Sequence, residues 1–239
     1  MAKWQQKRFW KKVDIRNQSN GFEILLDGKV IKTPAKNSLV LPNRLLAEEI
    51  AEEWRKQSLL LEPNKMPFTK ISNSAIDKIS QHFVEVADHL TEYAQADLLC
   101  YRVLEPEELS IRQSTAWDPL LEWASKKFNS PLHKTKGLVY VEQKVESVKR
   151  LKKQIYKMTS FELAAFYELV TLTGSIIAAL AIKHGNATAE IIWDLCHIEE
   201  RWQQEHWGID EEAETISEIK RLDFFHAERY LKALKSGLS

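Results

Sequence analysis

Phe22-Glu-Ile-Leu-Leu-Asp-Gly-Lys-Val-Ile-Lys-Thr-Pro34 is the stretch on which the fold class turns. Asp27-Gly28 separates the apolar runs Phe22–Leu26 and Val30–Lys32, and such a dipeptide is a strong two-residue hairpin signal because Gly accepts positive φ without steric cost. Upstream, Phe9–Arg16 alternates apolar and polar side chains with period two, which predicts a half-buried strand. Downstream, Thr33-Pro34 ends the hairpin, and Ser38–Leu41 reads as one more short strand before Pro42. The opening segment is therefore a small antiparallel sheet.

Beyond Pro42 the period changes. Leu45, Leu46, Ile50 and Trp54 recur at helical spacing, with Asn43 placed to cap them. Leu59–Pro67 reads as a connector. Helical patterns then cover Thr69–Ser80, His82–Gln95, Glu107–Phe128, Glu146–Lys157, Ser160–Leu172, Ser175–Lys183, Ala187–Glu205 and Ala213–Leu234. Leu132–Gln143 is ambiguous: its Leu138-Val-Tyr-Val141 core is β-prone and suits a short strand or an extended connector. The class is α+β, with a small β-rich α+β domain at residues 1–75 followed by an all-helical domain at residues 76–239.

With 34 basic and 34 acidic residues the net charge is zero, which argues against a general nucleic-acid binder. The charge is unevenly distributed. Lys3, Lys7, Arg8, Lys11, Lys12 and Arg16 face Asp14 alone at the start, whereas Ala187–Glu218 is strongly acidic. Cys100 and Cys196 match no C-x-x-C pattern and read as free thiols in a reducing compartment. The most apolar run, Ser175–Ile182, falls far short of the roughly 20 residues a spanning helix needs, so no membrane insertion is expected.

The residues with most to say about function lie between Trp193 and Glu212: Trp193-Asp-Leu-Cys-His-Ile-Glu-Glu-Arg-Trp-Gln-Gln-Glu-His-Trp-Gly-Ile-Asp-Glu-Glu212. On one helix, Trp193, Cys196, Glu200, Gln203 and Trp207 share a face. Aromatics supply contact area and a fixed carboxylate supplies specificity, as a recognition surface requires. An amphipathic helix with core tryptophans and solvated acids fits the same pattern. His197 and Glu200 at i, i+3 raise a metal-site reading, but their order, His-x-x-Glu, is the reverse of the Glu-x-x-His pairs of di-iron bundles. Phosphate-binding glycine loops and a G-x-S-x-G elbow are absent. Thr173-Gly174-Ser175 opens a helix and reads first as a cap, and Asp118-Pro119 reads as an N-cap followed by Pro at the first helical position.

An ordered set of segments resembles the ATP12 family, assembly chaperones of the F1 sector of ATP synthase. They are Arg8-Phe-Trp-Lys-Lys-Val13, Leu26–Pro34, Leu46–Gln57, Met66–Thr69 through Asp77, Ala96-Asp-Leu-Leu-Cys-Tyr-Arg102, Arg112-Gln-Ser-Thr-Ala-Trp-Asp-Pro119, Thr173–Ala181, and Ile198-Glu-Glu-Arg-Trp-Gln203 leading to Trp207-Gly208. The set covers nearly the whole chain. Ala96 and Trp10 depart from the family's common Thr and Tyr. The resemblance implies two domains and an activity of binding rather than catalysis, with no cofactor and no metal. Its implied partner is the unassembled F1 α subunit, shielded from aggregation before it joins β. The family's glutamate falls on Glu200, with Glu199 beside it. Gln203, Trp202 and Trp207 complete the candidate partner-binding set. A start without a targeting extension leads to the expectation of a bacterial cytoplasmic protein, monomeric when free, and a mitochondrial matrix protein after presequence removal reads the same. A helical metal-dependent enzyme and a structural adaptor of another complex are the alternatives.

Overall fold

The computed structural model describes residues 7–235. In chain order its strands and helices are β1 (Val13–Gln18), β2 (Gly21–Leu26), β3 (Lys29–Val30), β4 (Val40–Leu41), α1 (Arg44–Arg55), α2 (Pro67–Ser74), α3 (Phe83–Glu92), β5 (Tyr101–Arg102), α4 (Glu107–Phe128), β6 (Thr135–Lys136), α5 (Val145–Ile155), α6 (Ser160–Thr173), α7 (Ile176–Lys183), α8 (Ala189–Cys196), α9 (Ile198–Trp207) and α10 (Glu211–Lys235). A small strand-containing region precedes a mostly helical one, which is the α+β class expected from the sequence. The chain forms two compact units. One comprises the chain through Phe83 together with Thr159–Ala165 and the chain from Arg229 on; the other comprises Val84–Met158 and Phe166–Glu228.

In the first unit β2 pairs antiparallel with β1, β3 and β4, in register Val13↔Leu26, Leu25↔Val30 and Phe22↔Leu41. The turn residues Asp27 (φ 47°) and Gly28 (φ 79°) both have positive φ, the signature of the hairpin turn predicted there. The Asp27 carboxylate accepts from the Lys11 and Lys12 amides at 2.8–3.1 Å. Those amides are thereby taken from the strand ladder, and β1 begins at Val13 rather than at Phe9. Gly21 is needed for close approach: a Cβ there would lie 2.4 Å from the Leu41 carbonyl oxygen. Ile24, Leu26, Leu41, Leu46 and Ile50 are buried where α1 covers the sheet.

Asn43 serves two helices. Its Oδ1 accepts from the Leu46 amide at 2.9 Å and caps α1. Its Nδ2 donates to the Ala233 and Leu234 carbonyls of α10 at 3.0 and 3.1 Å. Glu53 plays a similar part for α2, accepting from the Phe68 and Thr69 amides at 2.6 and 2.8 Å.

In the second unit the organising group is Asp97, whose side chain is fully buried. One oxygen accepts from the Leu99 amide at 3.0 Å and the other from the Ile177 amide at 3.1 Å. The apolar segment around Cys100 is thereby fixed to the start of α7, where Ser175 caps by accepting from the Ala178 amide at 3.0 Å. Burial pushes the Asp97 pKa up to about 6, against the opposing pull of the Ser175 hydroxyl and the surrounding amides. The β-prone stretch of the ambiguous segment forms no strand. Only Thr135–Lys136 pairs, in parallel with Tyr101–Arg102.

Asn43→Ala should lower unfolding free energy by about 1–3 kcal/mol, since it removes a cap and two further hydrogen bonds. Asn43→Asp keeps the cap acceptor, loses the donors and sets a negative charge against two carbonyl oxygens, so it should be destabilised as well. Urea unfolding decides this, and an Asp variant as stable as the parent contradicts the dual role. For Asp97 the folded pKa lies above the unfolded value. The stability contributed by its proton is therefore present below about pH 4 and is lost as pH rises through about 6. Between pH 7 and pH 5 the parent should gain about 1 kcal/mol relative to Asp97→Asn, measured by unfolding at both pH values. A difference that does not change with pH contradicts it.

Candidate partner-binding surface

α4, α8 and α9 build the candidate surface within the second unit. The expected single helix Ala187–Glu205 is broken at His197 (φ −111°, ψ 30°). There the imidazole stacks on Trp193 at 3.7 Å between ring centroids, and its Nδ1 meets the Trp193 carbonyl at 2.8 Å. The face expected to run from Trp193 to Trp207 therefore divides. Trp193 and Cys196 are buried on α8, while Glu200, Gln203 and Trp207 lie exposed along one face of α9.

The other two expected residues sit differently. Trp202 is in the core, with His206 stacked on it at 4.2 Å. Glu199 is half-buried and accepts from Gln113 Nε2 at 2.6 Å. Gln113 is itself fully buried, and its Oε1 accepts from the Val103 amide at 2.8 Å, so one amide ties the end of β5 to α9. Arg112, one residue earlier, makes a two-pronged ion pair with Glu205 at 2.7 and 2.9 Å, which holds the Glu205 carboxyl below its ordinary value. Among the described residues no hydrogen bond or ion pair engages Glu200. Arg112 and Arg102 are committed elsewhere, to Glu205 and Asp118.

Asp118 is not a helix cap. α4 runs unbroken from Glu107 to Phe128 through Pro119, and Asp118 bonds Arg102 at 2.6 Å and Lys134 at 2.8 Å. Trp123, half-buried on α4, meets Phe128 and His184 edge-on or tilted at 5.4 and 6.3 Å. His197 is committed to Trp193, and among the described residues no group of three or more His, Cys, Asp or Glu is arranged to hold a metal. Among the same residues no helix is long and apolar enough to cross a membrane.

Beyond Trp207 there are further exposed apolar residues, and sequence reading did not single out Ile209, Ile216, Ile219 or Leu222. Gly208 (φ 87°) ends the helix, Trp207 is 78% exposed and Ile209 68% exposed, and Ile216, Ile219 and Leu222 stand half in water along α10. Their i+3 spacing was visible in the sequence, but it is equally the spacing of a core face. Asp210 caps α10 by accepting from the Glu212 and Ala213 amides at 3.0 and 3.1 Å, and Gln204 donates to Glu214 at 2.7 Å across the turn. The exposed charges of α9 and the first half of α10 are mostly acidic, Glu200, Glu211, Glu212 and Glu218, with Lys220 and Arg221 among them and Arg221 paired to Glu218 at 3.1 Å. An apolar strip with an acidic rim binds by area and selects by charge.

Fold and surface together describe a protein with an open apolar face on α9 and α10. The family model described as ATP12 chaperone protein matches residues 7–125. The mitochondrial protein atp12 of Schizosaccharomyces pombe is 30% identical over 223 residues, covering 88% of this chain and 76% of that protein. The crystal structure of Atp12 from Paracoccus denitrificans superposes with a TM-score of 0.92 at 38% identity, covering 95% of this chain and 97% of that one. A protein of Agrobacterium tumefaciens does so with a TM-score of 0.93 at 38% identity, covering 96% and 87%. The chain is a member of the ATP12 chaperone family, the ATP synthase assembly chaperones whose motifs its sequence carries.

The two tryptophans give a direct check on this surface. Trp202→Ala should cost about 3–5 kcal/mol in urea unfolding, as a core truncation does. Trp207→Ala should change stability by less than about 0.5 kcal/mol, as at an exposed position away from packing or caps. Equal losses would mean that Trp207 is packed and is not part of an open surface.

Proposed function

We propose that this protein holds the free F1 α subunit of ATP synthase until α joins β, masking an apolar subunit surface that would otherwise aggregate. The observation that carries the reading is the run of exposed apolar side chains on α9 and α10, Trp207, Ile209, Ile216, Ile219 and Leu222, rimmed by unpaired acid at Glu200. Membership of a chaperone family supports binding rather than catalysis as the mode of action. The client groove that meets this surface carries apolar side chains with Arg or Lys beside them. Glu200, Gln203 and Trp207 meet it directly, and Glu199 acts from behind through its Gln113 bond. The chain binds as a monomer in the compartment where F1 is assembled, the bacterial cytoplasm or the mitochondrial matrix. Mass action against the unassembled subunit drives the process without nucleotide.

The same geometry suits an adaptor for a different complex, and affinity for isolated F1 α separates the two. Glu200→Lys should weaken that affinity at least tenfold, because two like charges then face each other. Glu200→Gln should weaken it less, since it removes charge and keeps shape. Both variants should melt at the parent's temperature, Glu200 being exposed. Protection of α from aggregation should saturate near one protein per subunit. A Lys variant that binds normally removes Glu200 from the interface, and failure of the parent to bind α removes the client assignment.

A further inference from the structure

The segment between β6 and α5 takes no part in the surface described above, yet it is built with some care. Gln143 is 2% exposed. Its Oε1 accepts from the His133 amide at 2.7 Å, and its Nε2 donates to the His133 carbonyl at 2.9 Å. One side-chain amide thus pairs with both main-chain groups of His133, as a neighbouring strand would, and closes His133–Gln143 into a loop whose ends are held together. Ser147 fastens the base by donating to the Pro131 carbonyl at 2.8 Å, and the Gly137 amide donates to the Arg102 carbonyl at 2.7 Å, continuing the β5–β6 pairing by one residue.

The tip of this closed loop is apolar and bare. Leu138 is fully exposed, Val139 is 74% and Tyr140 60% exposed, and Leu104, which packs against Gly137, is exposed as well. Among the described residues no main-chain hydrogen bond reaches Leu138–Glu142. The tip is a short β-prone segment with unpaired backbone, the feature that folded proteins ordinarily cover or charge. Beside it lies a cavity of about 230 Å³ lined by Arg102, Ser114, Asp118, Lys134, Thr135 and Lys136. Three cations there face one carboxylate, and Arg102, 4% exposed and 4.9 Å from the Trp117 ring centroid, keeps an Nε with no hydrogen-bond partner. The cavity is therefore net positive, opposite in sign to the rim of α9 and α10. Both elements share one support, because Gln113 joins Val103, directly after β5, to Glu199 of α9.

We propose that this loop and its cavity form a second docking element for the client. An extended apolar segment of the unassembled F1 α subunit pairs as a strand with the main chain of Leu138–Val141 and sets an acidic side chain among Arg102, Lys134 and Lys136. Main-chain pairing gives affinity and the pocket gives register, as in strand-addition recognition. The inference rests on the client reading above. Opposite charge at the two elements gives the bound subunit a single polarity: its basic groove on α9 and α10, its acidic strand at the loop.

The test compares the parent, Leu138→Asp, Lys136→Glu and Glu200→Lys for affinity to isolated F1 α and for thermal unfolding. Leu138 and Lys136 are exposed, so their variants should melt with the parent. Each should bind α at least tenfold more weakly. If the parent and Glu200→Lys differ as expected while both loop variants bind α within twofold of the parent, the loop proposal is overturned and the client reading stands. If the parent itself does not bind α, both fall. Loop variants that keep α affinity but lose binding to phosphatidylserine vesicles, or lose a concentration-dependent dimer in sedimentation, assign the loop to lipid or to a second copy and overturn it equally.

Discussion

Asp97 is a carboxylate with no exposure to water and no ion pair among the described residues, and the second unit is arranged around what it requires. A buried carboxyl is tolerable only if its oxygens meet donors. The donors available are helix-start amides, Leu99 on one side and Ile177 on the other. Satisfying them fixes the segment Ala96–Arg102 against α7. That in turn places Arg102, which reaches Asp118, and Val103, whose amide is taken by Gln113. From Gln113 the chain of constraints passes to Glu199 and so to α9, whose outer face carries Glu200, Gln203 and Trp207. A proposed binding surface on one helix is thus held at a fixed attitude by polar contacts that begin at one buried acid.

Much of the fold was legible because the signals were local. Asp27-Gly28 demands positive φ at two consecutive residues, and the hairpin follows from that chemistry alone. Asn43 announced its cap, and the helical periods after Pro42 announced their helices. The misreadings have non-local causes. Pro119 after Asp118 looks like a helix start, but Arg102 and Lys134 hold Asp118 from outside the helix, and α4 continues through the proline. The break at His197 carries no Gly or Pro to mark it in the sequence. The same limit applies to the candidate site. Composition located the acid-and-tryptophan segment, but only tertiary placement tells Trp202 in the core from Trp207 in water. The strip on α10 and the loop tip were hidden for a related reason: an exposed apolar residue and a buried one look alike in a sequence.

The proposed client-binding elements use the two kinds of surface a soluble protein normally avoids. On α9 and α10 exposed isoleucines and a tryptophan stand on helices whose exposed charge is mostly acidic, which opposes self-association by like-charge repulsion and admits a basic partner. At the loop, unpaired β-prone backbone is kept short and is flanked by lysines, a common protection for an open edge. Each feature is stable in the free protein, and each becomes an attraction for a partner of opposite charge. Such an arrangement suits a holder that must release its subunit to a better-matched neighbour.

The most direct measurement is amide hydrogen exchange of the chain alone and with an equimolar amount of isolated F1 α. The account predicts added protection in Ile198–Trp207, in the first turns of α10 and in the loop around Leu138–Val141, with the strands β1–β4 unchanged. Protection confined to those strands and α1, with α9 and the loop exchanging as in the free protein, would contradict it.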